Sequence, residues 1–212
     1  PTLLPPGSLV KTSGVDKAEW NFRPLLGPIQ RPRFRLLLSL LPDRHIGRLL
    51  EIGYGSGVFL PELAKRCDEL YGIDPHRAAA SVARNLAAHR VHAGLFSGSA
   101  IALPFQEASI DCLVAVSCLE YVEPFDHAVA EFRRVLKPGG SLVFVTPGNS
   151  ARCRPLSVDR VQGTGTLRGA QGSAYSHPSS TVYGAAGNSS PEDAERCDDV
   201  VSRDANGSAL IP

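Results

Sequence analysis

The stretch Leu49-Leu50-Glu51-Ile52-Gly53-Tyr54-Gly55-Ser56-Gly57 decides the fold. An apolar run ends in an acid, glycines follow at alternate positions, and a helical pattern begins at once. A strand must stop there and turn sharply. A residue without Cβ tolerates positive φ and lets a ligand come close to the backbone. Asp74 stands 21 positions after Gly53, just past a second apolar run. This spacing is that of a nucleotide-type site, with glycines under the ligand and a carboxylate for a ribose.

Outward from this turn the chain keeps a strand–helix rhythm. Strands are expected near Arg48–Ile52, Glu69–Ile73, Val91–Leu95, Ile110–Val116 and Ser141–Thr146. The first helix is expected over Val58 to Arg66, with Phe59, Leu60 and Leu63 inward, and the next from the turn at Pro75 to His89. A third opens at Pro124, with Val129, Phe132 and Leu136 on its buried face. Lys137-Pro138-Gly139-Gly140 reads as a turn. Strands separated by helices imply an α/β fold: a mostly parallel sheet with helices on both faces. Ligands bind such sheets at the C-terminal strand ends, where the strand order reverses.

Upstream, residues 1–30 are rich in Pro and Gly and read as an irregular lead-in, with Trp20 and Phe22 either as anchors onto the domain or as a cap over the site. The run RPRFRLLLSLL at 31–41 suits a short helix that Pro42 ends. Arginines 23, 31, 33 and 35 read mainly as a solvated helix face. Downstream of Pro147 the composition changes: residues 148–212 contain no Phe, Trp or Lys. Such a segment buries too little apolar surface to offset its ordering entropy, so a largely disordered tail is expected. Its only strand-like runs are short, Thr181–Tyr183 and Val200–Val201. The expected division is therefore 1–30, 31–147 and 148–212.

The 212 residues suffice for one α/β domain and hardly for two. A net charge of +1 supplies no general attraction to nucleic acid. Five cysteines without a CxxC read as reduced thiols, which suits the cytoplasm, and no metal site is expected. The longest apolar run, Leu36 to Leu41, is far shorter than the roughly 18 residues of a membrane span. No leader of secretory type opens the sequence. Methionine is absent and the chain begins at Pro1, as expected of a fragment or a processed product.

Four blocks in order, LLEIGYGSG (49–57), LYGIDPH (70–76), GSAIALPFQEASIDCLVAVSCLEYV (98–122) and EFRRVLKPGGSLVFVTP (131–147), give the chain its family resemblance. Over about 44–147 it resembles the class I S-adenosylmethionine-dependent methyltransferases of the type 11 group. The resemblance implies a Rossmann-like fold and S-adenosyl-L-methionine as cofactor. It implies that Gly53, Gly55 and Gly57, with Tyr54 between them, lie under the methionine and ribose. Glu51 would help hold the methionine end. Asp74, followed by Pro75, would take both ribose hydroxyls. Ala100 and Ile101 would border the adenine, and Ser117 and Cys118 would lie near the transferable methyl. Ser99 departs from the family's usual acid, leaving a neutral contact of roughly half the strength to the adenine amino group. The family's last two strands are also not evident. Strand five would then be an exposed edge that invites self-association. The tail's bias is what GC-rich DNA read in a shifted frame would encode.

A sulfonium methyl is already activated, so methyl transfer needs alignment more than a catalytic constellation. If a base assists, His76, His127 and Tyr121 are the nearest candidates by position. The reading is methyl transfer to an unidentified small-molecule acceptor. Two alternatives stand beside it: a truncated, inactive cofactor-binding domain, and an NAD-dependent oxidoreductase. The latter wants GxGxxG, whereas position 58 is Val58 and the pattern is GxGxG.

Overall fold

The computed structural model describes residues 1–147 in full and, beyond them, the backbone of 157–161, 164–168, 174–177, 181–187, 202–203 and 209–210. Strands β1 (Ile46–Ile52), β2 (Cys67–Asp74), β3 (Gly94–Ser97), β4 (Ile110–Val116) and β5 (Leu136–Pro147) lie in the order β3-β2-β1-β4-β5. Every pairing among them is parallel. The chain winds outward from β1 to β3, then returns to β4 on the other side. The reversal therefore falls between β1 and β4, beside the glycine turn.

The sheet divides the core by period-two alternation. Leu49, Cys112, Val114, Val143 and Val145 face one side. There they meet Phe34 and Leu37 of helix α2 (Pro32–Leu40), Leu63 of α3 (Leu60–Leu63), and Val82 and Leu86 of α4 (Ala79–Ala88). A four-residue helix, α1 (Gly27–Gln30), precedes α2. Leu50, Ile52, Leu113, Ala115, Leu142 and Phe144 face the other side, against Val129, Phe132 and Val135 of α5 (Phe125–Val135).

Two motifs of the sequence have structural work to do. Glu131 and Arg134 of α5 pair at 2.7 Å. Glu131 accepts from the Leu103 amide at 2.7 Å, and Arg134 donates to the Phe105 and Leu103 carbonyls at 2.7 and 3.0 Å. The ALPF loop is thus pinned to α5. Lys137 donates to Asp111 at 2.9 Å, and the Arg48 amide donates to the same carboxylate at 2.8 Å. Asp111 therefore ties β1, β4 and the start of β5 together.

Several element boundaries differ from the expectations; β1 and β2 each begin two residues earlier, at Ile46 and Cys67. Helix α4 starts at Ala79, not in the turn at Pro75, because the Asp74 carboxylate accepts from the His76 amide and holds 74–78 in a turn. Strand β3 starts at Gly94 because residues 89–93 leave the helix through Arg90, at φ 58°, with the Val91 amide bonded back to Leu86. Only 60–63 of the expected 58–66 helix is α-helical; Ala64–Arg66 tightens to a 3-10 turn. Lys137–Gly140 is not a separate turn but an irregularity within β5, where the register shifts between Ile110 and Cys112. Leu136 leaves the helix face and begins that strand, still buried.

The exposed-edge expectation is corrected. Strand β9 (Thr181–Gly187) pairs in parallel with β5, from Ser141↔Thr181 to Pro147↔Gly187, so β5 is an inner strand. Its first residues, Thr181-Val182-Tyr183, are β-branched or aromatic and favour strands. With β9 beside it, β5 has a hydrogen-bonded neighbour on both sides. Strands β6 (Ser157–Val161), β7 (Thr164–Arg168) and β8 (Ala174–His177) form a small antiparallel sheet. These strands fall within the segment 148–212 that the composition reads as a largely disordered tail. The rest of that segment, Val200–Val201 included, lies outside the described residues.

Candidate cofactor and acceptor site

A cavity of about 810 Å³ opens at the C-terminal ends of β1, β2 and β4. The glycine turn, the loop at 98–100, the turn after β4 and the N-terminal segment around 12–34 enclose it. The lead-in reaches this position because it is fastened at several points. The Leu4 amide donates to the Val58 carbonyl at 2.9 Å, and Leu4 is fully buried. Asn85 donates to the Ser8 carbonyl at 2.7 Å. Asn21, also fully buried, donates to the Ala18 carbonyl at 2.9 Å.

The glycines of the turn have different reasons to be glycine. Gly53 has φ +73°, and a Cβ there would sit 2.8 Å from the Cys118 sulfur. Gly57, at φ +75°, would drive a Cβ to 2.8 Å from Val82, so it permits the helix to pack and does not face the cavity. Gly55, at φ +52°, lines the cavity, and a Cβ there would lie 3.6 Å from the Asp16 carboxylate. The close packing that a dinucleotide fingerprint assigns to its third glycine is thus done by Gly57, one position earlier.

Asp74 braces this turn. Its Oδ2 accepts from the Gly55 amide at 2.9 Å and its Oδ1 from the His76 amide at 3.2 Å. His76 closes the loop. Its Nδ1 accepts from the Ala78 amide at 3.0 Å, so the proton sits on Nε2, which donates to the Gly55 carbonyl at 2.9 Å. With both nitrogens engaged, His76 is a positioning residue and not a free base. Tyr54 packs edge-on against His76, with centroids 4.9 Å apart, and its ring lies over Gly72.

Glu51 is 3% exposed, and its Oε2 has no hydrogen-bond partner. Burial pushes its carboxyl up to about 8, and the charge of Asp74 adds to the effect. A buried carboxyl oxygen without a partner is costly, and a ligand that donates to it removes the cost. The site therefore fits a cationic, hydrogen-donating group beside a bare backbone turn, as the methionine ammonium of S-adenosylmethionine requires.

Of the predicted residues, Glu51, Gly53, Tyr54, Gly55, Asp74, Pro75, Ser99, Ala100, Ser117 and Cys118 line the cavity. Gly57 and Ile101 do not; Ile101 packs toward the α5 side of the core. Ser99 accepts from the Ile101 amide at 3.4 Å. Ser117 has φ +51°, a left-handed conformation that a non-glycine residue holds only under the constraint of its surroundings. Its amide donates to the Val145 carbonyl at 2.7 Å, which fixes the chain leaving β4. Cys118 donates to the Ile52 carbonyl at 3.0 Å, and burial pushes its thiol well up.

Sequence reasoning missed Asp16, Arg33 and Glu120 as members of the wall. Arg33 lies over the Phe34 ring at 4.9 Å, and Phe34 stacks on Phe59 at 4.4 Å. This stack brings the arginine to the glycine turn. Burial works against its charge, which Glu120 and Asp16 support, and its Nε has no partner. The one available signal was periodic: Gln30, Arg33, Phe34 and Leu37 share a helical face. Trp20, read as an anchor or a cap, also lines the cavity. Arg31 instead donates to the Asn21 carbonyl at 2.8 Å, while Arg23 and Arg35 are exposed.

Comparison with known proteins agrees with this geometry. Residues 50–144 match a family model described as a methyltransferase domain. The chain is 36% identical over 116 residues to a malonyl-[acyl-carrier protein] O-methyltransferase of Methylococcus capsulatus, covering 50% of this chain and 41% of that one. It is 34% identical over 140 residues to a ubiquinone biosynthesis O-methyltransferase of Hahella chejuensis, covering 61% and 54%. The chain thus spans about half the length of these relatives. Among solved structures, the N-methyltransferase NodS of Bradyrhizobium japonicum, in complex with S-adenosyl-L-homocysteine, superposes with a TM-score of 0.52 at 27% identity, over 61% of this chain and 67% of that one. Residues 50–144 are thus similar to the methyltransferase domains of these proteins.

Proposed function

We propose that this chain binds S-adenosylmethionine in the cavity and transfers its methyl group to a small-molecule acceptor. When bound, the cofactor supplies a methyl group already activated by a sulfonium charge. The observation that carries the reading is the unpartnered, buried Glu51 oxygen set directly before a glycine turn that Asp74 braces. Glu51 would accept from the methionine ammonium, and Arg33 would meet the methionine carboxylate. Asp74 has lone pairs left over for the ribose diol. Ser99 and Ala100 would border the adenine, and Ser117 and Cys118 would close the wall at the reacting end. The rest of the cavity, bounded by Trp20, Gln30 and Tyr121, would receive the acceptor. In-line displacement then depends on these walls holding the acceptor in place and excluding water.

The relatives methylate chemically different acceptors, which supports the donor more than any one acceptor. No helix among the described residues is long and apolar enough to cross a membrane. Cys67, Cys112 and Cys118 are free thiols, which supports a reducing compartment, the cytoplasm. The test is release of S-adenosylhomocysteine from the full chain across a panel of phenols, carboxylic acids and amines, beside isothermal titration with S-adenosylmethionine. Binding with turnover on at least one acceptor class is expected. Binding without turnover on any of them would point to an inactive cofactor-binding domain.

A further inference from the structure

The cavity wall holds five carboxylates whose positions can be compared. Asp16 accepts from the Thr12 hydroxyl at 2.8 Å and the Ala18 amide at 3.1 Å. Asp74 accepts from two backbone amides. Glu51 lies at the methionine end, and Glu123 is exposed. Like Glu51, Glu120 has a buried carboxyl oxygen without a partner, but it follows β4 whereas Glu51 lies within β1. It sits in the 3-10 turn Leu119–Tyr121, immediately after Ser117 and Cys118 at the end of β4, and its buried Oε2 has no partner.

Arg33 is the nearest candidate to neutralise it, yet no nitrogen of Arg33 comes within the 4.0 Å of an ion pair. Two opposite charges thus line one cavity, each with an unsatisfied buried atom, and do not meet. Proximity to the reacting end has separate support. Glu120 stands two residues after Cys118 and lines the same cavity. Tyr121 lines the wall but is 55% exposed, and the remaining basic candidates are occupied or lie outside it. His76 uses both nitrogens, Cys118 keeps its proton on the Ile52 carbonyl, and His127 is exposed on α5 outside the cavity.

We infer that Glu120 is the general base for an acceptor that presents an O–H or N–H group. The inference rests on the methyl-transfer reading above. As the acceptor oxygen or nitrogen bonds to the methyl carbon, its bond to hydrogen breaks and the proton passes to Glu120 Oε2. The electrons of the carbon–sulfur bond stay on sulfur, so one carboxylate takes up the one proton released. Trp20 and Tyr121 would supply the apolar walls for the body of the acceptor.

The test needs no knowledge of the acceptor. Sinefungin carries a protonated amine where the donor carries its methyl; S-adenosylhomocysteine carries nothing there. Titration of the full chain should show sinefungin bound at least tenfold more tightly. Glu120→Gln should reduce that preference to threefold or less while the S-adenosylhomocysteine dissociation constant stays unchanged. Glu120→Asp, which keeps the charge, should retain part of the preference. A preference that is the same in wild type and Glu120→Gln would overturn the assignment. Loss of S-adenosylhomocysteine binding in Glu120→Gln would also overturn it, since Glu120 would then serve the cofactor pocket or the fold. Failure of the wild type to bind either compound would instead remove the methyl-transfer reading itself.

Discussion

Asp74→Ala should weaken S-adenosylmethionine binding by at least tenfold, and by as much as about a hundredfold. Each charge-assisted hydrogen bond to a ligand is worth roughly 1.5–3 kcal/mol, and 1.4 kcal/mol is a factor of ten. The carboxylate also holds the Gly55 and His76 amides, so its loss frees the turn on which the ligand would lie. Two effects therefore act in one direction. Titration calorimetry at fixed salt and pH reads the change, and an unchanged dissociation constant would remove Asp74 from the site. Asp74→Asn keeps an acceptor for the Gly55 amide without the charge and should fall between the two.

Glu51→Gln should produce opposite changes in binding and in stability. A neutral amide cannot give a charge-assisted contact to the methionine ammonium, so affinity should fall about tenfold at pH 8. Stability should respond in the other sense. The Glu51 carboxyl is raised from 4.5 to about 8 by burial first and by Asp74 second. Between those values the folded protein keeps a proton that the unfolded chain has released. The contribution of the neutral acid is complete below pH 4.5 and is lost as pH rises through 8. The variant has no such loss. Its melting temperature should match wild type at pH 5 and exceed it at pH 8.5. An advantage on the order of 4 kcal/mol, from the shift between 4.5 and about 8, corresponds to roughly 8–16 °C for a chain of this size. Parallel melting curves at the two pH values would contradict the burial of an ionisable Glu51.

Much of this architecture could be read from residue patterns because it depends on local chemistry. The limits of β4 follow from its apolar run, and the glycine turn follows from the alternation at 53, 55 and 57. Asp74 could be placed by spacing alone, since a parallel pairing of β1 and β2 puts their ends together. What escaped notice depends on contacts distant in sequence. Arg33 faces the cavity because Phe34 stacks on Phe59, and no local pattern distinguishes it from Arg31 or Arg35. Glu120 stands out only when its oxygen is seen to lack a partner. The family resemblance places Gly57 under the ligand, whereas in the structure its lack of a Cβ serves close packing on Val82. The cover over β5 depends on residues 40 positions away pairing in register, Ser141 with Thr181.

The most direct measurement is a crystal structure of the full chain soaked with S-adenosylhomocysteine. Density should run along Gly53 and Gly55, with the ribose diol within hydrogen-bond distance of Asp74 and the amino group facing Glu51. Density elsewhere, or none at a saturating concentration, would contradict the proposed donor site.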